Sequence, residues 1–339
     1  QYSSIVIWAT LPALLYYLGI MIQVQLRASK DGLVGLPKEK LPNVSAVVKD
    51  KGHLFIPIIF LLYMLFFSGR TVINSAFLTI IVTIIVSQFK ASTRMGLKDI
   101  VDALADGAKQ TVSVAIACAC VGIIIGVSSK TGFGLTIANT IISIGEQSLL
   151  FTLIFTMITC MILGMGLPSI PAYIITATIA APALAKLGIP AAAAHMFSFY
   201  FAMFANLTPP VALAAFAAAG LSGGDPMKTG LQSVKLSIAG FIVPFMFVYS
   251  PQLMLIDTTW AEGIWVTLSA CLGVFLIAVT AEGYLYAPVN GFYRIITAAG
   301  ALCLIESGII TDIFGLVVLA LIIFLQKKKA KSIQMRATA

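Results

Sequence analysis

Long apolar runs recur along the whole chain, and they restrict its possible folds more than any other feature. The first is Ile5 to Val24, and His53 to Ser68 and Val72 to Gln88 follow it. A helix that crosses a bilayer needs roughly 17–25 mostly apolar residues, and helices satisfy their own backbone groups in lipid. Only 10% of the 339 residues are charged, against about a quarter in a soluble domain. We therefore predict an all-α polytopic membrane protein that resides in a lipid bilayer.

The placement of the basic residues predicts the orientation of the chain in the membrane. Residues 26–52 hold six basic and three acidic residues, and a basic tail begins at Lys327. Cytoplasmic loops carry an excess of Lys and Arg, so both segments are expected in the cytoplasm, with Asp257 and Glu262 outside. The positive-inside rule thus accounts for the net charge of +8, and no nucleic-acid partner is expected. The stretch Leu135 to Ile144 is too short to span and is expected along the interface.

One long apolar run is interrupted by the sequence Gly164-Met165-Gly166-Leu167-Pro168-Ser169-Ile170-Pro171. Proline removes a backbone donor and clashes with the preceding turn, whereas glycine permits non-helical backbone angles. In lipid the freed backbone groups need partners, so such a break persists only inside protein or beside water. Ser169 is predicted to cap the next helix, and Pro171 suits its first turn.

A second break of the same kind follows at Ala205-Asn206-Leu207-Thr208-Pro209-Pro210-Val211. Thr208 is predicted to cap a helix that runs from Val211 to Ala219. Two successive broken apolar segments are typical of a transporter site built from helix ends. Helix N-termini favour anionic groups, and the carbonyls at C-terminal ends can hold a cation. The alternative is a pair of ordinary proline kinks in packed helices.

The sequence contains no recognisable catalytic motif, so the chain is not expected to be an enzyme. His53 and His195 are isolated in sequence, and the five cysteines lie in apolar helices without a CxxC pair. Residues 126–130 lack the glycine spacing of a phosphate-binding loop, so no use of ATP is indicated.

Charged side chains are also missing from the centre of the two breaks. Glu282, Arg294, Glu306 and Asp312 lie at the ends of predicted segments, and we interpret them as interfacial. A cation at the breaks would therefore be held by backbone carbonyls and by hydroxyls such as those of Ser169 and Thr208. This arrangement suits Na⁺ better than a proton relay.

Both breaks and one later motif resemble the large membrane subunit of tripartite ATP-independent periplasmic (TRAP) transporters. The resemblance lies in Leu163 to Pro168, Ala205 to Ala214 and Asp225 to Gly230. The chain is similar to the fused-permease branch of the family, which works with TAXI-type binding proteins. The resemblance extends to the loop Gly35 to Pro42 and to the last three helices. It implies that the chain is the C-terminal half of a longer permease, without its first repeat and the small-subunit helices.

The resemblance further implies an elevator fold of the ion-transporter superfamily, in which the chain supplies the second inverted repeat with one re-entrant hairpin and one broken helix. Hydropathy alone does not separate a hairpin from two full passes. The implied domains are the end of the first repeat and a cytoplasmic loop at 1–52, the second repeat at 53–256 with its hairpin at about 149–187 and its broken helix at about 191–220, additional transmembrane helices at 257–326, and a cytoplasmic tail at 327–339.

The function that the resemblance implies is Na⁺-driven import of a small organic anion, with a carboxylate as the expected class, across a bacterial inner membrane. A periplasmic TAXI-type protein would deliver the substrate. The family commonly has two threonines where Ser169 and Ile170 stand, so one hydroxyl is lost here. The implied Na⁺ ligands are Gly164, Met165, Gly166, Ser169, Asn206 and Thr208, and the implied substrate-binding residues are Ser169, Asn206 and Pro209.

Two other functions remain open at this stage. The first is a Na⁺/anion symporter of the same superfamily that works without a binding protein. The second is a membrane fragment or scaffold that does not transport. Because one half of an alternating-access site is visible in the sequence, we expect that residues 1–339 alone do not transport.

Overall fold

The computed structural model describes residues 2–35, 37, 41–133, 136–137, 139–140, 143, 148–306 and 308–338. The described residues are helical and contain no β-strand, which confirms the predicted all-α class. Within these ranges, six helices are long and apolar enough to cross a membrane, as expected of a multi-pass membrane protein. Half of the predicted interfacial segment 135–144, and part of the motif 35–42, lie outside the described residues.

The helices are numbered here in chain order. The first seven are α1 (Tyr2–Lys30), α2 (Val44–Lys51), α3 (Ile56–Phe67), α4 (Val72–Ser87), α5 (Leu97–Thr131), α6 (Leu149–Gly164) and α7 (Ser169–Lys186). The remaining seven are α8 (Ala191–Phe204), α9 (Leu213–Ser222), α10 (Pro226–Leu236), α11 (Ile238–Tyr249), α12 (Trp260–Glu282), α13 (Gly291–Ile305) and α14 (Ile309–Thr338).

The chain forms two compact units, and the smaller one comprises residues 1–6 and 34–116. Within it, the side chain of Asn43 caps α2 by accepting the backbone N–H of Ser45 at 3.0 Å. Helix α3 packs against α4. His53 is half-buried here, and its Nε2 lies 3.0 Å from the hydroxyl of Thr93. This histidine is therefore part of a local hydrogen bond rather than of a catalytic group.

The larger unit comprises residues 7–33 and 117–339, and α8 lies in its core. Phe197 and Phe201 of α8 are fully buried, with ring centroids 4.8 Å apart in an edge-to-face arrangement. The ring of Phe197 also meets Phe245 of α11 at 5.5 Å. Such aromatic pairs contribute about 0.5–1.5 kcal/mol beyond the burial of their area. The second broken segment is thus packed against α11 through aromatic rings of α8.

Glu282 and Asp312 lie at helix ends, as predicted, and both side chains are buried within the protein. Asp312 accepts hydrogen bonds from the indole N–H of Trp265 at 2.8 Å and from the hydroxyl of Ser269 at 2.6 Å. Arg294 and Glu306 are exposed. The physical reason for the difference is that neighbouring helices supply polar partners to Asp312 and Glu282, which makes their burial tolerable.

Glu282 ends α12, and its side chain is completely shielded from solvent. Lys235 Nζ lies 3.2 Å from Glu282 Oε2, and the guanidinium Nη1 of Arg27 lies 3.7 Å from the same oxygen. Lys30 donates to the backbone carbonyl of Glu282 at 2.7 Å. One carboxylate therefore joins the ends of α1, α10 and α12.

We expect that Glu282→Gln lowers the stability of the protein, because Lys235 and Arg27 lose their counter-charge. Breaking a buried ion pair costs about 3–5 kcal/mol. Both cations here are more than a third exposed and can be hydrated, so we expect a loss of about 1–3 kcal/mol. Thermal unfolding of the purified protein in detergent measures the change. The exposed Glu306→Gln is the matched control, and equal unfolding temperatures for the two variants would contradict the assignment.

Candidate functional site

The first break is a tight turn that separates α6 from α7. Helix α6 ends at Gly164, after which Met165 adopts φ −59° and ψ 126°. Gly166 follows with φ +72°, a left-handed conformation that glycine adopts without steric cost. The N–H of Leu167 donates to the carbonyl of Gly164 at 3.3 Å. The predicted interruption of the apolar run is therefore confirmed, and Gly166 is the residue that makes the turn possible.

The start of α7 differs from the predicted one by a single residue. Pro168 occupies the capping position, and Ser169 is the first helical residue, exposed and without a capping hydrogen bond. The extended backbone of Pro168, with ψ 158°, already provides the entry into the helix. The prediction that Ser169 caps the helix is thus wrong. Pro171 does lie in the first turn, where its missing N–H leaves no helical bond unmade.

The second break is longer and spans residues 205–212, between the end of α8 and the start of α9. The hydroxyl of Thr208 donates to the carbonyl of Phe204 at 2.9 Å, so it closes the last turn of α8. The predicted cap at Thr208 and the predicted helix start at Val211 are therefore wrong. Helix α9 begins at Leu213, after Ala212 adopts a left-handed conformation with φ +36°. Ala212, rather than Thr208, occupies the capping position of α9, and no side chain caps that helix.

The fold places the two breaks in contact with each other. A Cβ atom on Gly164 would lie 2.9 Å from the carbonyl oxygen of Ala202, so the backbones of α6 and α8 meet directly at this point. A Cβ atom on Gly166 would lie 3.7 Å from Cγ1 of Val211 in the second break. Two interruptions that are about forty residues apart in sequence thus form one region of irregular backbone.

The candidate site residues differ in their exposure. Gly164 is buried, Met165, Asn206, Thr208 and Pro209 are half-buried, and Gly166 and Ser169 are exposed. Among the described residues, no hydrogen bond joins Ser169 to Asn206 or Thr208. The structure therefore groups most of the predicted set at the meeting of the breaks and leaves Ser169 at its exposed edge.

Backbone oxygens are the principal polar groups in this region. The carbonyl of Asn206 accepts the N–H of Ala214 at 3.1 Å, and that of Thr208 accepts the N–H of Ala212 at 3.2 Å. Within the described residues, no hydrogen-bond donor reaches the carbonyl oxygens of Met165, Gly166 or Leu207. The segments 164–171 and 205–212 contain no ionisable side chain. The region can thus supply several neutral oxygen ligands without a fixed charge.

Two residues that contact the breaks are not among the candidates taken from the sequence. Ala202 provides the backbone surface against which Gly164 packs, and no sequence signal distinguishes it from other alanines. Gly230 of α10 lies against Pro209, because its Cβ would be 3.0 Å from Cγ of that proline. Gly230 is the last residue of the motif Asp225 to Gly230. Its position in that motif is the sequence feature from which a contact with the break could have been predicted. Asp225 itself caps α10 by accepting the N–H of Lys228 at 2.8 Å.

A second connection between helices of the site involves His195. Its Nδ1 lies 3.0 Å from the hydroxyl of Tyr173, which links α7 to α8. His195 is exposed, and this tyrosine is its hydrogen-bond partner among the described residues.

Comparison with known protein families decides the relationship of the chain. The family model described as "Tripartite ATP-independent periplasmic transporter, DctM component" matches residues 1–261. The chain belongs to this TRAP transporter family. No curated protein and no solved structure matches it. TRAP permeases are membrane components of secondary transporters rather than enzymes, and they work with a periplasmic binding protein and a small membrane subunit.

The family match covers both breaks of the TRAP permease and every helix from α1 to α11. It ends at the second residue of α12, so residues 262–339 lie beyond it. The contact region of the two breaks therefore belongs to the part of the chain that the TRAP family shares.

We expect that Gly164→Ala destabilises the protein, because the added methyl group would meet the backbone of Ala202 and force α6 and α8 apart. Overpacking of this kind costs about 1–3 kcal/mol. Thermal unfolding in detergent measures the effect. Gly220→Ala in α9 is the control, since a Cβ at that position meets nothing within 4 Å. If the two variants unfold at the same temperature, the direct contact of the breaks is refuted.

Proposed function

We propose that the chain is the membrane permease component of a Na⁺-driven, binding-protein-dependent importer of a small organic anion, which works by an elevator mechanism. The observation that carries this proposal is the contact between two uncharged helix breaks at Gly164 and Gly166. Discontinuous helices that meet in this way are the usual basis of ion and substrate sites in secondary transporters. Membership of the TRAP family supports the same interpretation.

The chemistry of the region favours Na⁺ as the coupling ion. Hard cations prefer oxygen ligands, and the breaks present unpaired carbonyl oxygens together with the Thr208 hydroxyl oxygen. The hydroxyl proton of Thr208 points to Phe204, which leaves the oxygen lone pairs available. The proposed ligands lie in the two contacting segments: Gly164, Met165, Gly166, Asn206 and Thr208, with Ser169 at the exposed edge.

The exposed start of α7 suits the anionic substrate. The N-terminal end of a helix carries partial positive charge and unpaired N–H groups, both of which favour a carboxylate. Ser169 is exposed at this end and adds a hydroxyl donor. With Asn206 and Pro209 of the second break, it forms the proposed substrate-binding set. A bound Na⁺ would compensate the negative charge of the substrate.

The proposed partners follow from the family and from the sequence motifs. The family name places a binding protein in the periplasm, and the resemblance to fused permeases supports a TAXI-type protein in that role. We further propose that an upstream half with the first repeat completes the transporter, and that it resides in a bacterial inner membrane. The hairpin in this proposal comprises α6 and α7, and the broken helix comprises α8 and α9.

We expect that Thr208→Ala weakens the dependence of uptake on Na⁺. The loss of one partly buried oxygen partner costs about 1–3 kcal/mol, so the Na⁺ half-saturation should rise about fivefold or more. Uptake by the complete permease with its binding protein, measured across a series of Na⁺ concentrations, provides the value. Thr208→Ser keeps the oxygen and serves as the control. A half-saturation that stays at the parent value in Thr208→Ala would refute this ligand.

We also expect that residues 26–52 and the tail after Lys327 face the cytoplasm and that residues 257–262 face the periplasm. The excess of basic residues in the first two segments is the physical reason. In a cysteine-free background, Ser45→Cys and Thr258→Cys should react oppositely with an impermeant thiol reagent in intact cells. Labelling of Ser45→Cys from outside would invert the proposed orientation.

A further inference from the structure

Gly240 in α11 has no side chain, and two aromatic rings occupy the space beside its backbone. A Cβ atom at this position would collide with the ring of Phe204 from α8 and would lie 2.5 Å from Cδ2 of Tyr16 in α1. Phe204 and Tyr16 meet edge to face, with centroids 5.6 Å apart. Gly240 thus forms a notch in which the Phe204 ring rests, and any larger residue would exclude that ring from its present position.

Phe204 connects this notch directly to the second break. It is the last residue of α8, and its side chain is only 5% exposed. Its ring contacts the neighbouring Phe241 at a centroid distance of 4.7 Å. Its carbonyl oxygen accepts both the hydroxyl of Thr208 at 2.9 Å and the N–H of Leu207 at 3.0 Å. The position of the ring in the notch therefore fixes the carbonyl that holds Thr208.

We propose that Gly240 and Phe204 are positioning residues for the cation site at the breaks. Neither touches the proposed ion. The notch holds the last turn of α8 in register, and the Phe204 carbonyl then orients the Thr208 hydroxyl oxygen and the turn that contains Asn206. This inference rests on the proposed Na⁺ site, and it adds the element that sets the geometry of that site.

A cavity beside the notch gives the Phe204 ring a place to move. It has a volume of about 240 Å³ and is lined by both Tyr16 and Phe204 together with Leu207. A methyl group on Gly240 would therefore displace the rings of Phe204 and Tyr16, and both rings border this cavity. The expected consequence is a shifted break in a folded protein, which an experiment can distinguish from unfolding.

The decisive variant is Gly240→Ala, with Gly220→Ala as its control because the latter methyl group meets open space. In the complete permease, Gly240→Ala should raise the Na⁺ half-saturation about fivefold or more, and Gly220→Ala should leave it unchanged. Adding Phe204→Leu to Gly240→Ala removes one of the two rings that collide, the other being Tyr16, so the double variant should recover part of the loss. Phe204→Leu alone, which adds no bulk, should also raise the half-saturation, because the ring no longer fills the notch.

A second measurement works without transport. In a cysteine-free background, Leu207→Cys lines the cavity, and its reaction rate with a thiol reagent reports whether the cavity is open. Gly240→Ala should slow that rate severalfold, because the displaced Phe204 ring fills the cavity, and Gly220→Ala should not change it. If Gly240→Ala folds and changes neither the labelling rate nor the Na⁺ half-saturation, the proposal is overturned.

The two measurements also separate this inference from the proposed function. If the parent permease shows no dependence on Na⁺, the proposed function fails, whereas slower labelling in Gly240→Ala would still support the coupling of the ring to the break. A different result would refute the inference alone. If uptake by the parent permease depends on Na⁺ but the double variant has the same Na⁺ half-saturation as Gly240→Ala, the Phe204 ring does not position the site.

Discussion

A backbone carbonyl or N–H without a partner costs several kcal/mol inside hydrocarbon, and this cost shapes the whole molecule. The chain meets it with helices over most of its described length, and two of the breaks between those helices, 165–168 and 205–212, interrupt apolar runs. Those segments lie against each other at Gly166 and Val211, and the adjoining helices meet where Gly164 packs on the backbone of Ala202. The irregular backbone is partly enclosed by protein, and the same arrangement brings oxygens without hydrogen-bond donors together, where a cation can use them.

The helices around this region pack through glycines that allow unusually close approach. Lipid tails are as apolar as leucine, so membrane helices associate by close van der Waals contact rather than by a hydrophobic driving force. Gly164 allows the backbones of α6 and α8 to touch, and Gly240 allows the Phe204 ring to pack against the backbone of α11. At Gly19 in α1, a Cβ would lie 3.1 Å from Cγ1 of Val274 in α12. Each of these contacts would be lost to a single methyl group, which makes the packing of the site specific.

Local chemistry in the sequence predicts the breaks but not their details. Glycine and proline cannot continue a helix comfortably, so the interruptions at residues 164–168 and 205–212 could be recognised from residue type alone. The capping roles assigned to Ser169 and Thr208 are wrong, because Pro168 enters α7 by itself and the Thr208 hydroxyl bonds back to Phe204. The burial of Glu282 depends on Arg27 and Lys235, which are far away in sequence, and periodicity carries no information about such partners.

The end of the family match at residue 261 does not coincide with the end of the packed core. Val274 of α12 contacts Gly19, and Glu282 at the end of α12 binds Lys235 and Arg27. Helix α11 packs against α12 and also meets the aromatic rings of α8, and all three helices contribute to one buried cluster. Because Phe204 takes its position from α11, a displacement of α12 would reach the second break through these contacts. The helices beyond the shared family region therefore bear on the geometry of the candidate site, although they contribute no residue to it.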